Sequence, residues 1–391
     1  MFHLIRNATV FAPQPLGLCN ILIAAGKIAY VGSDVPSLDH CLDVSENDVK
    51  GCLVVPGFID AHTHINGGGG ESGPSSRVPP VALSRFTMAG VTSVVGVLGT
   101  DDLTRTTQSQ ITQVYGLREE GISAWCHTGG YHVPLTTLTG NARSDIVFIE
   151  PIIGVGELAL SDHRSSQPTY DEFLRIASDA YVAGLMTGKA GIVHIHMGDG
   201  PKGLSMVRKA LETSEIPSRT FNPTHVNRNK ELFEEALELV GLGVTIDITA
   251  YPTDEEDKKG LSATEAFLRY REGGYPAGQF TFSSDGGGCL PIFNEQGEML
   301  HMGVGDSSSL SHTLKLLLDM GIPAEDALRP LTKNVASLLR LHSKGQIAKG
   351  CDADLVILDN LNNVSDVMAM GKWHVRGGDA IIKGTFENLY T

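Results

Sequence analysis

Two histidines, His62 and His64, stand two residues apart after the apolar run 53–55, which is typical of a buried strand. Side chains two apart in a strand point to the same face, so both imidazoles would project together from the strand's C-terminal end. Neutral imidazole is the commonest protein ligand for metal ions, and the pair therefore predicts a metal site. Two polar residues satisfied by backbone partners would give the same spacing, and the short motif alone does not separate the two interpretations.

Other metal-competent side chains fall near the ends of later predicted strands: Glu157, His196, His225 and Asp285. His194 lies on the same strand face as His196. We prefer His196 as the ligand because it is nearer the C-terminal end, which leaves His194 as a buried, hydrogen-bonded core residue. Taken singly, His225 could open a helix and Asp285 could cap a turn before glycines. Together with the first pair they make four histidines and two carboxylates, a ligand set for two divalent metals.

Eight strands that alternate with helices would place these side chains on one rim. The predicted strands are 53–64, 92–99, 122–127, 152–160, 191–197, 221–226, 243–250 and 280–285. The predicted helices are 81–90, 107–120, 170–184, 203–214, 230–240, 262–272, 311–320 and 324–341. This order predicts an α/β fold, a (β/α)8 TIM-like barrel, whose active site lies at the C-terminal ends of the strands.

The barrel is expected over residues 53–342, and a doubly wound open sheet is the alternative. The glycine run 67–70 has neither the spacing of a dinucleotide fingerprint nor a following Lys-Ser/Thr, which disfavours that alternative. Strand-like alternation at 4–11, 21–24 and 27–31, and again at 353–358 and 372–375, predicts a small β-sandwich domain formed from both chain ends, 1–52 plus 343–391.

Composition limits the class of partner. The chain has 391 residues, and its 41% hydrophobic residues are ordinary for a globular protein. Its formal net charge of −15 argues against nucleic-acid or membrane partners. Its 6 cysteines show no C-x-x-C spacing and are expected to be free thiols. With no signal-peptide pattern and no long apolar run, we predict a cytoplasmic protein.

Taken together, these motifs resemble the amidohydrolase superfamily and, within it, the isoaspartyl dipeptidase family, over nearly the whole chain. The stretches that carry the resemblance are 57–64, 67–71, 94–100, 122–125, 131–134, 161–165, 196–199, 223–229 and 283–286. The His-x-His is shared by the whole superfamily, whereas 67–71 and 161–165 are specific to this family. The resemblance implies hydrolysis of β-linked aspartyl dipeptides.

The resemblance also implies roles for individual residues. His62 and His64 would hold one metal, His196 and His225 the second, and Asp285 would be a ligand and the general base and acid. A metal-bridging hydroxide would attack the scissile carbonyl, with Tyr131 helping to polarise it. The implied substrate contacts are Glu71 for the free α-amino group, Thr100 nearby, and Arg164 and Arg228 for the carboxylates, a charge set complementary to an isoaspartyl dipeptide.

Two positions depart from the family pattern. Many members bridge the metals with a carboxylated lysine, and the corresponding position here is Glu157. A glutamate also offers two anionic oxygens, so we predict that it bridges and that no carboxylated lysine is needed. Cys289 stands where the family places a substrate-contacting serine, and a thiol is the weaker hydrogen-bond donor. Cys289 is therefore either a substrate contact or a packing residue on the loop after the eighth strand.

The predicted cofactors are two divalent metal ions, with Zn2+ expected and Mn2+, Co2+ or Fe2+ as alternatives. The resemblance implies a homo-oligomer, an octamer. Two other functions stay open: an amidohydrolase of different specificity, such as a cyclic amide hydrolase or an N-acyl amino acid deacylase, and a non-catalytic assembly protein on the same fold.

Overall fold

The N-terminal strands belong to a sheet outside the barrel. The structure is a computed structural model that describes residues 2–34, 43–251, 259–293 and 299–387. The first strands are β1 (Phe2–Phe11), β2 (Pro15–Ala24), β3 (Lys27–Gly32), β4 (Val44–Asp48) and β5 (Leu53–Pro56). β1 pairs antiparallel with β2 and parallel with β4 and β5. β4 was not predicted, because its sequence Val-Ser-Glu-Asn-Asp lacks an apolar alternation.

The prediction of one strand over 53–64 is wrong, because the chain forms two strands there. β5 joins the terminal sheet, and a new strand, β6 (Phe58–Thr63), opens the barrel. Gly57 lies between them so close to the neighbouring strand that a Cβ on it would lie 2.2 Å from Thr92 Oγ1. Pro56 has no N–H to continue a ladder. The apolar character runs through the break, so the sequence pattern did not reveal it.

The barrel strands continue from β6 in the predicted order. They are β7 (Val91–Gly96), β8 (Ser123–Thr128), β9 (Ile152–Leu160), β10 (Val193–Met197), β11 (Phe221–Thr224), β12 (Ile246–Thr249) and β13 (Phe280–Ser283). β6 to β11 form a parallel sheet in sequence order, and β12 pairs in parallel with β13. The curled sheet meets its beginning after β13, where His64 N donates to Gly286 O at 2.7 Å.

Helices cover the outside of these strands. They are α1 (Leu83–Thr87), α2 (Thr107–Glu120), α3 (Ala142–Phe148), α4 (Tyr170–Thr187), α5 (Ser205–Thr213), α6 (Lys230–Gly241), α7 (Ala263–Glu272), α8 (Ser308–Asp319), α9 (Ala324–Leu328) and α10 (Lys333–Leu338). The predicted helix over 324–341 is interrupted by a short 3-10 turn, Arg329–Leu331, which contains Pro330 and lies between α9 and α10. The seven-residue α3 was not predicted. Within the described ranges, no helix combines the length and apolar character that spanning a bilayer requires.

The C-terminal strands return to the terminal sheet. After the hairpin β14 (Cys289–Phe293) and β15 (Met299–Val304) come β16 (Leu355–Leu358), β17 (Val364–Ala369), β18 (Lys372–Arg376) and β19 (Asp379–Ala380). β16 pairs antiparallel with β5, so both chain ends contribute to one nine-stranded sheet. A separate two-layered β-sandwich with boundaries at 52 and 343 stays a prediction. The five cysteines in the described ranges are free; Cys41 lies outside them.

Candidate metal centre

The six predicted ligands converge at the C-terminal ends of the barrel strands. His62 lies on β6, Glu157 on β9 and His196 on β10, and the other three stand one or two residues after strand ends: His64, His225 and Asp285. All are buried, with at most 8% of each residue exposed. The structure therefore brings together side chains that are far apart in the chain, as expected for the rim of a parallel barrel.

Glu157 lies at the centre of the four imidazoles. Its Oε1 is 3.4 Å from His64 Nε2, and its Oε2 is 3.5 Å from His62 Nε2. The same Oε2 is 3.1 Å from His196 Nδ1 and 3.6 Å from His225 Nε2. One carboxylate thus faces both histidine pairs, which is the geometry that a bridging ligand needs.

Asp285 closes the cluster on the side of the first pair. Its Oδ1 is 3.4 Å from His62 Nε2 and 3.0 Å from His64 Nε2. Both Asp285 (φ 53°) and His225 (φ 61°) have left-handed backbone conformations, which non-glycine residues seldom adopt. Such conformations cost about 1–3 kcal/mol and persist where the surrounding structure enforces them, often at functional sites.

The donor set fits divalent metal ions. Ligand atoms within 4.8 Å of one another define three overlapping groups: His62, His64 and Glu157; His62, His225 and Asp285; Glu157, His196 and His225. His62 Nε2, Glu157 Oε1 and Asp285 Oδ1 are buried, and among the described residues they have close neighbours but no well-aligned hydrogen bond. Leaving buried polar atoms unpartnered is unfavourable, and a cation shared between them would satisfy all three.

A chain of neutral side chains orients His62. His62 Nδ1 is 2.8 Å from His194 Nε2, and His194 Nδ1 is 2.7 Å from Asn222 Oδ1. Asn222 Nδ2 donates to Thr245 O at 2.8 Å, so its oxygen must accept from His194. His194 then accepts from His62 Nδ1–H, so Nε2 is the atom of His62 that would bind a metal in place of a proton. His194 is the buried, hydrogen-bonded residue that the sequence predicted.

The charges of the cluster are strongly coupled. Burial lowers the pKa of His62, but the Glu157 and Asp285 carboxylates outweigh it and raise that pKa to about 9. Burial raises the pKa of both carboxyls, yet the neighbouring histidines hold each pKa well below its usual range. Burial brings the pKa of His225 down to about 3. The centre therefore holds two carboxylates that attract positive charge.

Tyr131 lies against the second histidine pair. Its hydroxyl is 2.8 Å from His196 Nδ1, and the residue is 4% exposed. Burial, and then the Glu157 charge, raises the pKa of the phenol well above its usual value, so the hydroxyl keeps its proton. Tyr131 can accordingly donate a hydrogen bond at this position.

The predicted substrate-binding charges lie beside His196. Arg164 Nη2 is 3.3 Å and Arg228 Nη1 is 3.5 Å from His196 Nε2. Arg164 Nη1 also donates to Glu71 Oε1 at 3.2 Å, and Arg228 Nε lies 3.3 Å from Asp199 Oδ1. One carboxylate and two guanidinium groups thus stand next to the metal cluster.

Thr100 and Cys289 are the other two predicted substrate contacts. Thr100 is half-buried and follows Gly99, which passes so close to the centre that a Cβ on it would lie 2.8 Å from His64 Cε1. Cys289 is half-buried, and its Sγ is 3.5 Å from Met302 Sδ. Burial, and then the charges of Glu71 and Asp285, raises the pKa of this thiol to about 11. The thiol is thus protonated and close to the glycine run that carries Glu71.

Three residues that contact the ligands were not predicted. Asp162 Oδ2 is 3.0 Å from His196 Nε2, while Thr249 Oγ1 and the Tyr251 hydroxyl lie 2.6 and 3.1 Å from His225 Nδ1. Asp162 stands in the family-specific stretch 161–165, and Thr249 ends β12, the one barrel strand to which the sequence assigned no site residue. Strand-end position was therefore the signal that could have found Thr249.

The fold and the cluster at its rim are those of a hydrolase class, and the chain belongs to the amidohydrolase family, whose model matches residues 53–374. Among curated proteins it is 22% identical over 375 residues to an adenine deaminase of Geobacillus kaustophilus (strain HTA426), covering 92% of this chain and 56% of that protein. It thus spans little more than half that relative's length. A deacetylase of Agrobacterium fabrum (strain C58) is 22% identical over 365 residues, with 87% and 78% covered.

A solved structure gives a much stronger similarity. The β-aspartyl dipeptidase of the thermophilic, keratin-degrading Fervidobacterium islandicum AW-1, crystallised with a β-Asp-Leu dipeptide, is 39% identical, with 97% of each chain covered and a TM-score of 0.91. The resemblance to isoaspartyl dipeptidases that the motifs indicated is thereby confirmed. A D-hydantoinase structure, 16% identical with a TM-score of 0.70, shares the fold.

Proposed function

We propose that this protein is a dipeptidase that hydrolyses β-aspartyl (isoaspartyl) dipeptides. The observation that carries the proposal is the charge set beside the metal cluster: Arg164 and Arg228 next to His196, with Glu71 paired to Arg164. An isoaspartyl dipeptide has one ammonium and two carboxylates, and guanidinium groups bind carboxylates in a bidentate manner. The similarity to a β-aspartyl dipeptidase over 97% of the chain supports the same substrate class.

The six ligand residues would hold divalent metal, with Glu157 as the bridge in place of a carboxylated lysine. Bound metal would supply Lewis acidity and lower the pKa of a water molecule. Two ions, and Zn2+ as the native metal, are part of the proposal; metal analysis of the purified protein tests both. A large homo-oligomer in the cytoplasm remains a prediction.

Asp285 and Tyr131 are positioned for the proton and carbonyl chemistry. The Asp285 carboxylate is ionised and faces the centre with an unpartnered oxygen, so it can accept a proton from water and deliver it to the leaving amine. Tyr131 holds its proton and would donate a hydrogen bond to the scissile carbonyl oxygen. Arg164, Arg228 and Glu71 would orient the substrate, with Thr100 and Cys289 at the edge of its site.

Hydrolysis of β-Asp-Leu and α-Asp-Leu, each with and without a chelator, tests the proposal. We expect chelator-sensitive cleavage of the β-linked peptide at a much higher kcat/KM than of the α-linked one. Equal rates, or no β-linked activity in metal-loaded protein, would contradict the specificity. Activity on an N-acyl amino acid but not on β-Asp-Leu would favour a deacylase, the direction in which the deacetylase relative points.

A further inference from the structure

Asp162 joins the metal cluster to the substrate-binding charges. It is 5% exposed and follows β9 on the loop that carries Arg164. Its Oδ2 is 3.0 Å from His196 Nε2. Its two oxygens also receive Arg164 Nε at 3.0 Å, Nη2 at 2.9 Å and the Arg164 backbone N–H at 2.7 Å. One carboxylate therefore contacts both a predicted metal ligand and a predicted substrate-binding residue.

The surroundings of His196 show what this contact decides. Its Nδ1 faces Glu157 at 3.1 Å, so binding a metal there requires the proton on Nε2. Around Nε2 lie Tyr131 Oη at 3.2 Å, Arg164 at 3.3 Å, Arg228 at 3.5 Å and Asp162 at 3.0 Å. The two guanidinium groups are donors and favour a lone pair on Nε2. Among the described residues, Asp162 is the only anion in contact with that atom, and it favours the proton there.

Asp162 also fixes the direction of the Arg164 fork. With Nε and Nη2 held by Asp162, only Nη1 is left to reach Glu71, at 3.2 Å. A guanidinium group whose Nε and Nη2 are already held loses less side-chain entropy when its remaining N–H groups bind a carboxylate. Removing the Asp162 charge would release the guanidinium of Arg164 and favour the wrong tautomer of His196.

We propose that Asp162 is a positioning residue that couples metal binding at His196 to recognition of a substrate carboxylate by Arg164. The part of the proposal that concerns His196, which we call the metal arm, rests on the metal site alone. The arm concerning Arg164 rests on the proposed dipeptidase function.

The test compares Asp162→Asn with Asp162→Glu. Asparagine removes the anion, so we expect Zn2+ affinity at the affected site to fall about 10–100-fold and the KM for β-Asp-Leu to rise. Glutamate keeps the anion on a longer side chain, so Zn2+ affinity should stay near the wild-type value while KM rises. A merely structural role would make the two variants behave alike, and that result would overturn the proposal.

Asp366→Asn is the matched control. Asp366 accepts from Arg376 Nε at 2.7 Å in the terminal sheet, so this variant also breaks an aspartate–arginine pair but lies far from the rim. It should leave Zn2+ affinity and KM unchanged. Thermal melting checks that Asp162→Asn is folded. If the folded variant binds Zn2+ as tightly as the wild type, the part of the proposal that concerns His196 is contradicted. If wild-type protein does not cleave β-Asp-Leu, the proposed function fails while Zn2+ titration still decides the metal arm.

Discussion

Two clusters of buried charge lie at opposite ends of the barrel strands, and they differ in how their polar atoms are satisfied. At the C-terminal ends, the histidine–carboxylate centre has atoms on His62, Glu157 and Asp285 that form no hydrogen bond with any described residue. At the other end, near Ser123 at the start of β8, Lys344 lies between Asp352 and Asp354. We call the second group the junction cluster, since it joins the barrel to the terminal sheet.

The junction cluster is fully paired. Lys344 is 4% exposed, and its Nζ contacts Asp354, lies 3.1 Å from Asp352 Oδ2 and 2.6 Å from Ser123 Oγ. Asp352 also accepts from Lys27 and, at 2.6 Å, from Ser343 Oγ. Each charge has partners of opposite sign, as a structural ion network requires.

The difference shows how a ligand-binding site can be distinguished from an ion network that stabilises the fold. Both clusters are buried and charged, so burial and charge do not distinguish them. Unpartnered atoms that face a common centre leave room for a ligand, whereas a closed set of pairs stabilises the fold. The two clusters should therefore respond in opposite ways to substitution, metal and pH.

Glu157→Gln should have the largest effect. It removes the central anion, so we expect kcat/KM for β-Asp-Leu to fall at least about 10³-fold, equivalent to about 4 kcal/mol. Stability of the metal-free protein should change little, because the lost pairing of Glu157 with His62 and His196 is offset by removal of a buried charge whose Oε1 has no hydrogen bond among the described residues. Steady-state kinetics and urea unfolding measure the two quantities. A strong loss of metal-free stability would show that this cluster also supports the fold.

A companion measurement asks whether Glu157 bridges without a carbamate. Wild-type activity should be the same in CO2-depleted buffer and with added bicarbonate. Loss on depletion and recovery with bicarbonate would contradict the prediction.

Lys344→Met should produce the largest loss of stability. It leaves two buried aspartates without their main cation, which costs about 3–5 kcal/mol. Urea unfolding should show the loss, while folded protein should keep its kcat/KM. Lys315→Met is the control, since Lys315 pairs at 2.9 Å with Asp319 on the surface, and it should cost at most about 0.5 kcal/mol. Similar losses in both variants would argue against the junction cluster as a support.

Adding Zn2+ to metal-free protein should stabilise it through the centre alone. A ligand that binds only the folded state at 100 times its Kd adds about 2.7 kcal/mol. Lys344→Met should gain as much as the wild type, and Glu157→Gln much less. Equal gains in wild type and Glu157→Gln would place metal binding elsewhere.

Asn222→Asp should weaken metal binding more modestly. An aspartate next to His194 favours the doubly protonated form of His194, which would donate from Nε2 to His62 Nδ1. The lone pair of His62 would then be on Nδ1, and its Nε2, which faces the centre, would carry a proton. Zn2+ titration should show about 10–100-fold lower affinity. Asn334→Asp is the control: Asn334 is also buried, and its amide donates to Ala277 O and Phe280 O. It should cost stability without changing Zn2+ affinity.

Lowering the pH should reveal the smallest of these effects, a change in the free energy of unfolding. Burial raises the pKa of Asp352, but Lys344 and its other partners outweigh burial and hold that pKa below the ordinary 3.8. A carboxyl with a lowered folded-state pKa contributes stability above its unfolded pKa, and this is lost as pH falls below about 3.8. Asp352→Asn should therefore flatten the pH dependence of unfolding there by up to about 1.4 kcal/mol per pH unit. An unchanged slope would contradict this.

The sequence by itself determined the parallel strand order and the rim to which the predicted ligands belong. Periodicity places His62, Glu157 and His196 on strands, and the strand ends of a parallel barrel meet at one rim, so the set could be predicted from the sequence. The resemblance to isoaspartyl dipeptidases, carried by short stretches such as 161–165, supplied the expected substrate class.

Only the tertiary structure decided which partners hold those ligands. The contacts of Asp162 with His196 and of Asn222 with His194 join side chains 34 and 28 residues apart, and those of the junction cluster reach 221 residues, from Lys344 to Ser123. The break at Gly57 was equally hidden, since it depends on close approach to Thr92. The local sequence pattern indicates which face of a strand a side chain lies on. Hydrogen-bond partners from distant segments depend on distances that must be correct to within a few tenths of an ångström, and only the packing of those segments determines them.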